Sequence, residues 1–481
     1  MNITIVLIVV LYMLLMLAIG YYSSKKISSN VDFMVAGRRL GPFLLAGTLA
    51  ATEIGGGSSL GVVANAFGNW GMSASWYIIA MGIAFVILIP LAPKFRATSV
   101  KTVPEYFRRR YDNFSGLFSA IVMLLALIGL TAGQFKASAS VLEVMLGLDY
   151  TTSLVIVTVV ITVYAVMGGL WSVTLTDFVQ VFLIVIGMTA AVPFALKLAG
   201  GWAAVRSTVP AEHLSLTAGI GGWGQIAGYV IMYVATFAVG QEAVSRYYAA
   251  KDGKAAVRGS ILAAIINFIF AFIPVILGLA MLSLFNQNLL PASTVETLKT
   301  NSRYALPALA VATMPAVITG ILFSGIISAT MSSADSDLLG AGSIFSNDLY
   351  KIFIRKGAKD REVMMVTKIA MVFVGLFSLA TAIYADNIIT LLAFSFTLRA
   401  AGTFVPYVMG HFYKKSSAAG SVAAILSGSI LFFMMDRKII PSIPGLNSII
   451  PALVVSLIFF LLFSKIMPTK SETLDIRYEE D

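Results

Sequence analysis

Long apolar stretches recur along nearly the whole chain, and they limit its fold more than any other feature. They lie at roughly 3–22, 43–68, 72–92, 114–146, 151–169, 173–199, 222–244, 256–284, 304–345, 362–384, 388–410, 417–435 and 449–466. About 20 apolar residues cross a bilayer as a helix, and a helix satisfies its own backbone hydrogen bonds in lipid. Because 58% of the 481 residues are hydrophobic and 12% are charged, we predict an all-α polytopic membrane protein with about 13 transmembrane helices.

Lysine and arginine are concentrated in alternate connections between these stretches. Of the 33 basic residues, the connections and tail on one side hold 24, those on the other side hold six, and three (Lys136, Lys368 and Arg399) lie within spans. Cytoplasmic loops of membrane proteins carry the excess of positive charge. The pattern therefore predicts an amino terminus outside, a short cytoplasmic tail over 467–481 and a plasma (bacterial inner) membrane location. It also attributes the net charge of +10 to topology and not to a nucleic-acid surface.

Residue usage excludes several kinds of chemistry. The chain has no cysteine and two histidines, so disulfides, thiolate sites and a histidine zinc cluster are absent. No nucleophile–base arrangement and no phosphate-binding loop stands in the sequence. Lys25 and Lys26 follow the first apolar stretch instead of preceding it, which favours an uncleaved span over a signal peptide. We predict neither an enzyme nor a cofactor.

Two of the spans are interrupted at corresponding places. The second contains Gly55, Gly56 and Gly57 directly after Glu53, and three consecutive glycines do not maintain a regular helix. The seventh contains Gly240, followed by Gln241 and Glu242. Flexible kinks would explain the glycines alone, but interrupted spans at matching places in two halves are typical of inverted-repeat transporters, whose solutes bind at the breaks.

A polar stretch at 324–337 lies inside an apolar span. At helical spacing, Ala329, Ser332 and Ser333 share one face, and Asp335 and Ser336 follow within a turn. Small residues also let helices approach closely, but that does not explain buried acids. Oxygen ligands with little formal charge suit a hard, weakly bound monovalent cation. We therefore predict an ion site here.

Three motifs together resemble the sodium/solute symporter family: 102–111 (TVPEYFRRRY), 164–180 (YAVMGGLWSVTLTDFVQ) and the stretch 324–337. The resemblance covers about residues 1–465. It implies a LeuT-type core of two inverted five-helix repeats, at about 43–199 and 222–410, within a single transporter domain over 1–466. The choline transporters of this family are locally most similar, around 168–196 and 328–350. Those transporters have an aromatic cage for a quaternary ammonium. In this chain Glu53, Ile83 and Gly240 stand at the cage positions in place of aromatic residues.

The resemblance also implies ion sites, residue by residue. A sodium site would use the carbonyls of Ala51, Ile54 and Ala329 with the hydroxyls of Ser332 and Ser333. A second sodium site in some relatives would correspond to Asp177, Asp335 and Ser336. Relatives have a serine where this chain has Asp335, so the carboxylate would bind sodium more tightly or carry a proton.

Charged residues within spans need a partner, an ion or a cavity. The solute site is expected at the breaks, from Glu53, Gly55, Gly56, Gly57, Ser58, Gln241 and Arg399. Glu53 could receive an amine, carry a proton, or pair with Arg399 or Lys136. Arg399 could bind a carboxylate bidentately or pair with an acid, and a zwitterion held between Glu53 and Arg399 is preferred. Glu242 is expected near the cytoplasmic end, and 246–254 as an inner loop.

The function predicted is sodium-driven symport of a small organic solute into the cell by alternating access. The solute would be an amino acid, an amine or a carboxylate. The expected partners are sodium, the solute and the lipid bilayer. Proton-coupled symport on the same fold is the alternative, followed by a channel or a transporter-derived sensor. The sequence sets neither the solute, the number of sodium ions nor the oligomeric state.

Overall fold

The protein is helical throughout the part of the chain that the computed structural model describes, residues 2–25, 30–385 and 387–468, where no β-strand occurs. Lys26 and all but the first two residues of the predicted tail lie outside these ranges. The α-helices are α1 (Ile3–Ser24), α2 (Asn30–Val35), α3 (Pro42–Glu53), α4 (Val62–Phe67), α5 (Trp76–Ile87), α6 (Ala92–Ala97), α7 (Val103–Arg110), α8 (Asn113–Leu146), α9 (Tyr150–Leu198), α10 (Gly201–Thr208), α11 (Trp223–Val239), α12 (Gln241–Ala249), α13 (Gly253–Phe270), α14 (Ile273–Asn286), α15 (Ala292–Thr300), α16 (Ala305–Thr313), α17 (Ala316–Ile344), α18 (Asp360–Tyr384), α19 (Ile388–Phe412), α20 (Ala418–Asp436) and α21 (Ile449–Ile466). Helical turns of other pitch cover Ala36–Arg38, Gly57–Gly61, Gly71–Ser75, Ala211–Leu214, Ser302–Tyr304 and Phe345–Ile354.

The helices long and apolar enough to cross a membrane number ten in the described residues, or eleven if α11 and α12 count as one bent span. The two remaining predicted spans are also helical. The stretch 43–68 is divided among α3, the turn Gly57–Gly61 and α4, and 72–92 contains α5, which is 12 residues long. The all-α polytopic class is confirmed, and the count of thirteen stays a prediction.

The fifth and sixth predicted spans are the two halves of α9, which bends sharply at a glycine. Within α9, Gly169 has φ +56° and ψ −173°, a conformation that glycine adopts readily and other residues rarely do. A Cβ there would also lie 2.6 Å from the Phe33 ring. The bend therefore lies at the residue where the predicted span 151–169 ends.

Both predicted breaks are present in the structure. Helix α3 ends at Glu53, and helical turns resume at Gly57. A Cβ on Gly55 would collide with the Ser333 hydroxyl, so the missing side chain lets the broken span approach α17. Helices α11 and α12 meet at Gly240 with a bend of 53°. A Cβ on Gly240 would lie 2.6 Å from both Arg399 Nη2 and Glu242 Oε1.

Backbone contacts close the end of the molecule that the charge pattern assigns to the cytoplasm, called the inner end below. The amide of Leu40 donates to the carbonyl of Ala249 over 3.0 Å, and the amide of Lys251 donates to that of Leu40 over 2.9 Å. Arg96 Nε donates to the Ala250 carbonyl over 2.7 Å. These bonds attach the end of α12 to the segment before α3 and to α6.

A cavity of about 540 Å³ opens at the opposite, outer end. Its lining includes Asn65, Trp70, Tyr229, Met232 and Thr397, together with the connection between α20 and α21. The described conformation is thus open at the outer end and bonded shut at the inner end.

Candidate functional site

The hydroxyls of α17 meet the carbonyls of the broken second span. Ser332 Oγ lies 2.8 Å from the Ala51 carbonyl and 2.9 Å from that of Ala329. Ser333 Oγ lies 2.7 Å from the Thr52 carbonyl and 3.2 Å from that of Ala329. All five residues are buried. Four of the five predicted sodium ligands are therefore together, in a cluster of oxygen atoms that suits a hard monovalent cation.

The fifth predicted ligand, Ile54, is buried at the end of α3, and its amide donates to the Ala50 carbonyl over 2.8 Å. In the described residues, the carbonyl of the broken span that contacts Ser333 belongs to Thr52. Thr52 was not among the predicted ligands. Its position one residue before Glu53, at the end of a helix about to break, is the signal that could have indicated it.

Gln134 of α8 caps the break and was also missed. Its Oε1 accepts the amide of Gly56 over 2.7 Å, and the side chain is buried. A Cβ on Gly56 would collide with Ala137, one turn further along α8. A single glutamine in an apolar span was the available signal, because a buried amide requires partners.

A guanidinium lies among the residues of the predicted second ion site. Arg246 Nη2 donates to Asp177 Oδ2 over 2.9 Å and to Ser336 Oγ over 2.6 Å. Arg246 Nε donates to Thr48 Oγ1 over 2.8 Å, and that hydroxyl donates to Asp177. The expectation of an inner loop from Arg246 onward is corrected, because α12 runs to Ala249 and Arg246 is fully buried. A buried carboxylate needs a cation at this depth, and Arg246 supplies it to Asp177.

Two carboxylate oxygens near this guanidinium have no hydrogen-bond partner in the part of the chain that the structure covers: Asp177 Oδ1 and Asp335 Oδ2. The other oxygen of Asp335 lies 3.3 Å from Ser336 Oγ. Two acids and one arginine leave a formal charge of −1 in a buried region. The region can therefore accept a further cation or a proton.

Arg399 pairs with Glu242. Its Nη1 donates to Glu242 Oε2 over 2.7 Å, its Nη2 donates to Glu242 Oε1, and its Nε donates to Thr236 Oγ1 over 2.6 Å. Each nitrogen of the guanidinium thus already has an acceptor. Of the two roles predicted for Arg399, the structure shows the pair with an acid. The acid is Glu242, however, and not Glu53. Glu242 itself is buried at the break and does not lie at a cytoplasmic end.

Lys136 is also directed away from the breaks. Its ammonium donates to the carbonyls of Ala382 and Ala385 over 3.2 and 2.5 Å, and to the Tyr150 hydroxyl over 3.2 Å. It therefore binds the last carbonyls of α18, where a cation is favoured by the helix dipole. Neither predicted basic partner of Glu53 contacts it.

Gln241 faces the inner end. Its Oε1 accepts the amide of Val103 over 2.8 Å, and its Nε2 donates to the Lys101 carbonyl over 3.1 Å. The first residue of α12 is thereby bonded to the connection before α7. The contact of Gln241 with a solute stays a prediction, and in this conformation its amide is bonded to the inner end.

Replacing Gln241 by leucine should favour opening of the inner end, since it removes two hydrogen bonds that close it. A single cysteine at Ser245, buried on α12, reports opening because the chain has no other cysteine. We expect its labelling by a membrane-permeant maleimide to be severalfold faster in the Gln241→Leu background. Gln287→Leu is the matched control, since that amide bonds to Ala199 near the outer end. Equal labelling rates in the two backgrounds would contradict a closing role for Gln241.

Glu53, at the second-span break, has no side-chain partner among the residues that the structure describes. It is 6% exposed, and its Oε1 makes no hydrogen bond to any described residue. Ser58 Oγ donates to the Glu53 carbonyl over 2.8 Å. A Cβ on Gly57 would lie 2.5 Å from the Tyr77 hydroxyl. The three glycines, Ser58 and Glu53 are thus together, with a tyrosine beside them.

Tyrosines line the space between the break and the outer cavity. Tyr77 packs edge-to-face on Tyr233 and Tyr229, with ring centroids 5.5 and 6.1 Å apart. Tyr229 also lines the cavity. These rings were not predicted, because they come from places on α5 and α11 other than the cage positions of the choline transporters.

Comparison with known proteins gives consistent results. The model of the Sodium:solute symporter family matches residues 33–428. The osmoregulated proline transporter of Bacillus subtilis is 26% identical over 483 residues, covering 97% of this chain and 95% of that protein. The sodium/pantothenate symporter of Haemophilus influenzae is 25% identical over 496 residues, covering 99% of each. A solved structure of a substrate-bound, outward-open Na⁺-coupled sialic acid symporter has a TM-score of 0.82 at 23% identity, covering 97% of this chain and 99% of that one. The predicted LeuT-like fold is thereby confirmed.

Proposed function

Because the chain belongs to the sodium:solute symporter family, we propose that it takes a small organic solute into the cell through a site formed by the two helix breaks. It is a multi-pass membrane protein that couples sodium to the symport of a small solute, and it is not an enzyme. The observation that supports the site is the meeting of the Ser332 and Ser333 hydroxyls with the carbonyls of the broken span.

Sodium would bind among the carbonyls of Ala51, Thr52 and Ala329 and the two serine hydroxyls, with Ile54 as a further candidate. Each hydroxyl would turn its proton away and offer a lone pair to the ion. The ion would then connect α17 to the broken span, so sodium would favour the arrangement in which the break is formed. One sodium ion moving down a potential of 100 mV contributes about 2.3 kcal/mol.

The transport cycle would move the repeats 43–199 and 222–410 against each other. The solute would enter from the outer cavity, pass the tyrosines and bind at Glu53, Gly55–Gly57 and Ser58. Opening the inner end would then break the bonds of Gln241 and of the backbone at Ala249. The amino terminus would lie outside the cell, as the basic residues of the connections suggest.

The second ion site is proposed with Asp335 as its main ligand, whereas the resemblance implied Asp177, Asp335 and Ser336 together. Asp335 would bind a second cation, sodium or a proton, through the oxygen that lacks a partner. Asp177 and Ser336 would contribute less directly, since each already bonds to Arg246.

Replacing Ser332 and Ser333 by alanine tests the sodium site. Each change removes one of about five oxygen ligands, so the sodium concentration that half-maximally stabilises the purified protein should rise severalfold. The measurement is the unfolding temperature as a function of sodium at constant ionic strength. Ser324→Ala is the matched control, because that buried hydroxyl bonds only within α17, to Gly320. A double mutant with unchanged sodium dependence would place the site elsewhere.

A further inference from the structure

Buried acids outnumber buried bases around the two breaks. Five carboxylates on α3, α9, α12 and α17 are at most 6% exposed: Glu53, Asp177, Glu242, Asp335 and Asp337. The described residues offer them two guanidinium groups, Arg246 and Arg399. With all groups ionised, the region carries three uncompensated negative charges. Charges at this depth are costly unless they are balanced.

Two of the three uncompensated charges lie on the solute side of the region. Glu242 uses the guanidinium of Arg399, and no base of the described residues forms a salt bridge with Glu53 or Asp337. Asp337 follows Ser333 by one helical turn on α17, and Ser333 touches Thr52, the neighbour of Glu53. One turn further on, a Cβ on Gly340 would lie 3.2 Å from the Gln241 side chain. Asp337 thus lies on α17 between the levels of the two breaks, and it is buried like Glu53.

The basic side chains near the breaks, among the described residues, each already bind another group of the protein, so none offers an unbalanced positive charge to a solute carboxylate. Arg399 donates from each of its nitrogens to Glu242 or Thr236. Lys136 binds the end of α18, and Arg246 binds Asp177 and Ser336. The zwitterion held between Glu53 and Arg399, preferred on the sequence, therefore loses its positive pole.

We propose that the solute is an organic cation whose ammonium group binds between Glu53 and Asp337. The inference rests on the proposed solute site at the breaks and adds the charge of the solute to it. The hydroxyl end of Tyr77 lies beside Gly57, and the Tyr77 ring packs edge-to-face on Tyr233. Aromatic rings attract a cation through their faces. One sodium ion and one ammonium group together balance two of the three excess charges.

Pairs of compounds that differ by one carboxylate test the charge of the solute. Suitable pairs are proline and pyrrolidine, lysine and cadaverine, arginine and agmatine, and γ-aminobutyrate and propylamine. The measurement is stabilisation of the purified full-length protein against thermal unfolding, with and without sodium. Both members of each pair carry the ammonium group, but the carboxylate of the amino acid would be buried beside two acids without a partner of its own, which is unfavourable. We therefore expect the better-binding amine to half-saturate at about tenfold lower concentration than its amino acid.

Variants assign the effect to the two acids. Glu53→Gln and Asp337→Asn should each abolish the preference for amines. If one of these variants fails to fold, the other still tests the proposal. Glu143→Gln is the matched control, since that acid bonds to Tyr304 in the outer part of α8, and it should keep the preference. Stronger binding of the amino acids, equal binding within pairs, or no stabilisation by any amine would overturn the proposal. If sodium still stabilises the protein when the amine proposal fails in one of these ways, the proposed sodium site is not contradicted.

Discussion

Replacing Arg399 by glutamine should destabilise the folded protein by about 3–5 kcal/mol, because it leaves Glu242 as a buried and unpaired carboxylate. The guanidinium forms two bonds to Glu242 and one to Thr236, and Arg399 is fully buried. Glu242→Gln should cost about as much, since Arg399 would then have no counter-charge. The measurement is the free energy of unfolding, or the unfolding temperature, of the purified protein in detergent.

The double variant Glu242→Gln/Arg399→Gln should be milder than either single change. Two facing amides can hydrogen-bond to each other, and no charge remains buried, so the coupling energy of the cycle should be large and favourable. A control cycle on Arg303 and Glu143, a partly exposed pair 3.7 Å apart, should give about 0–1 kcal/mol. If the double variant is no more stable than the single ones, the pair is not the structural unit that its geometry indicates. If it is stable but does not transport, Arg399 or Glu242 also contacts the solute.

The positions of the breaks could be predicted from sequence because they depend on local chemistry. Three consecutive glycines cannot maintain a helix, and the structure breaks at that place. The hydroxyl face of α17 was predictable for the same reason, since residues three and four apart share a face. Ser332 and Ser333 accordingly lie against the broken span.

The pairing of the buried charges could not be predicted in this way. The partners Arg246 and Asp177 are 69 residues apart, and Arg399 and Glu242 are 157 apart, so only the tertiary arrangement brings them together. The sequence predicted Arg246 in an inner loop. Hydropathy alone does not distinguish an arginine in a loop from one that is buried in the membrane and paired with an acid. Gln134 and Thr52 were missed because each makes a single contact with a distant segment. Gln134 accepts the amide of Gly56, and the Thr52 carbonyl accepts the hydroxyl of Ser333.

Arg246→Gln is expected to have the largest effect of all the single changes considered. The variant removes the guanidinium that bonds to Asp177 and to Ser336, the neighbour of Asp335, so two buried carboxylates would lose that cation. It also removes bonds to Thr48, Ser336 and the Glu242 carbonyl, which join α3, α12 and α17. We expect a loss of more than about 5 kcal/mol, beyond the cost of one broken buried pair. Low recovery of folded protein from the membrane would be the first observation.

Removing the acids should restore stability in two steps. Arg246→Gln/Asp177→Asn should recover only part of it, because Asp335 stays buried without a counter-charge. Adding Asp335→Ser, which removes that carboxylate, should recover most of the rest. Sodium should also stabilise Arg246→Gln more than the unchanged protein, because the ion can take the place of the guanidinium beside the free oxygens of Asp177 and Asp335. A variant that sodium stabilises no more than the unchanged protein would mean that these oxygens bind no cation, and the proposed second ion site would have to be abandoned.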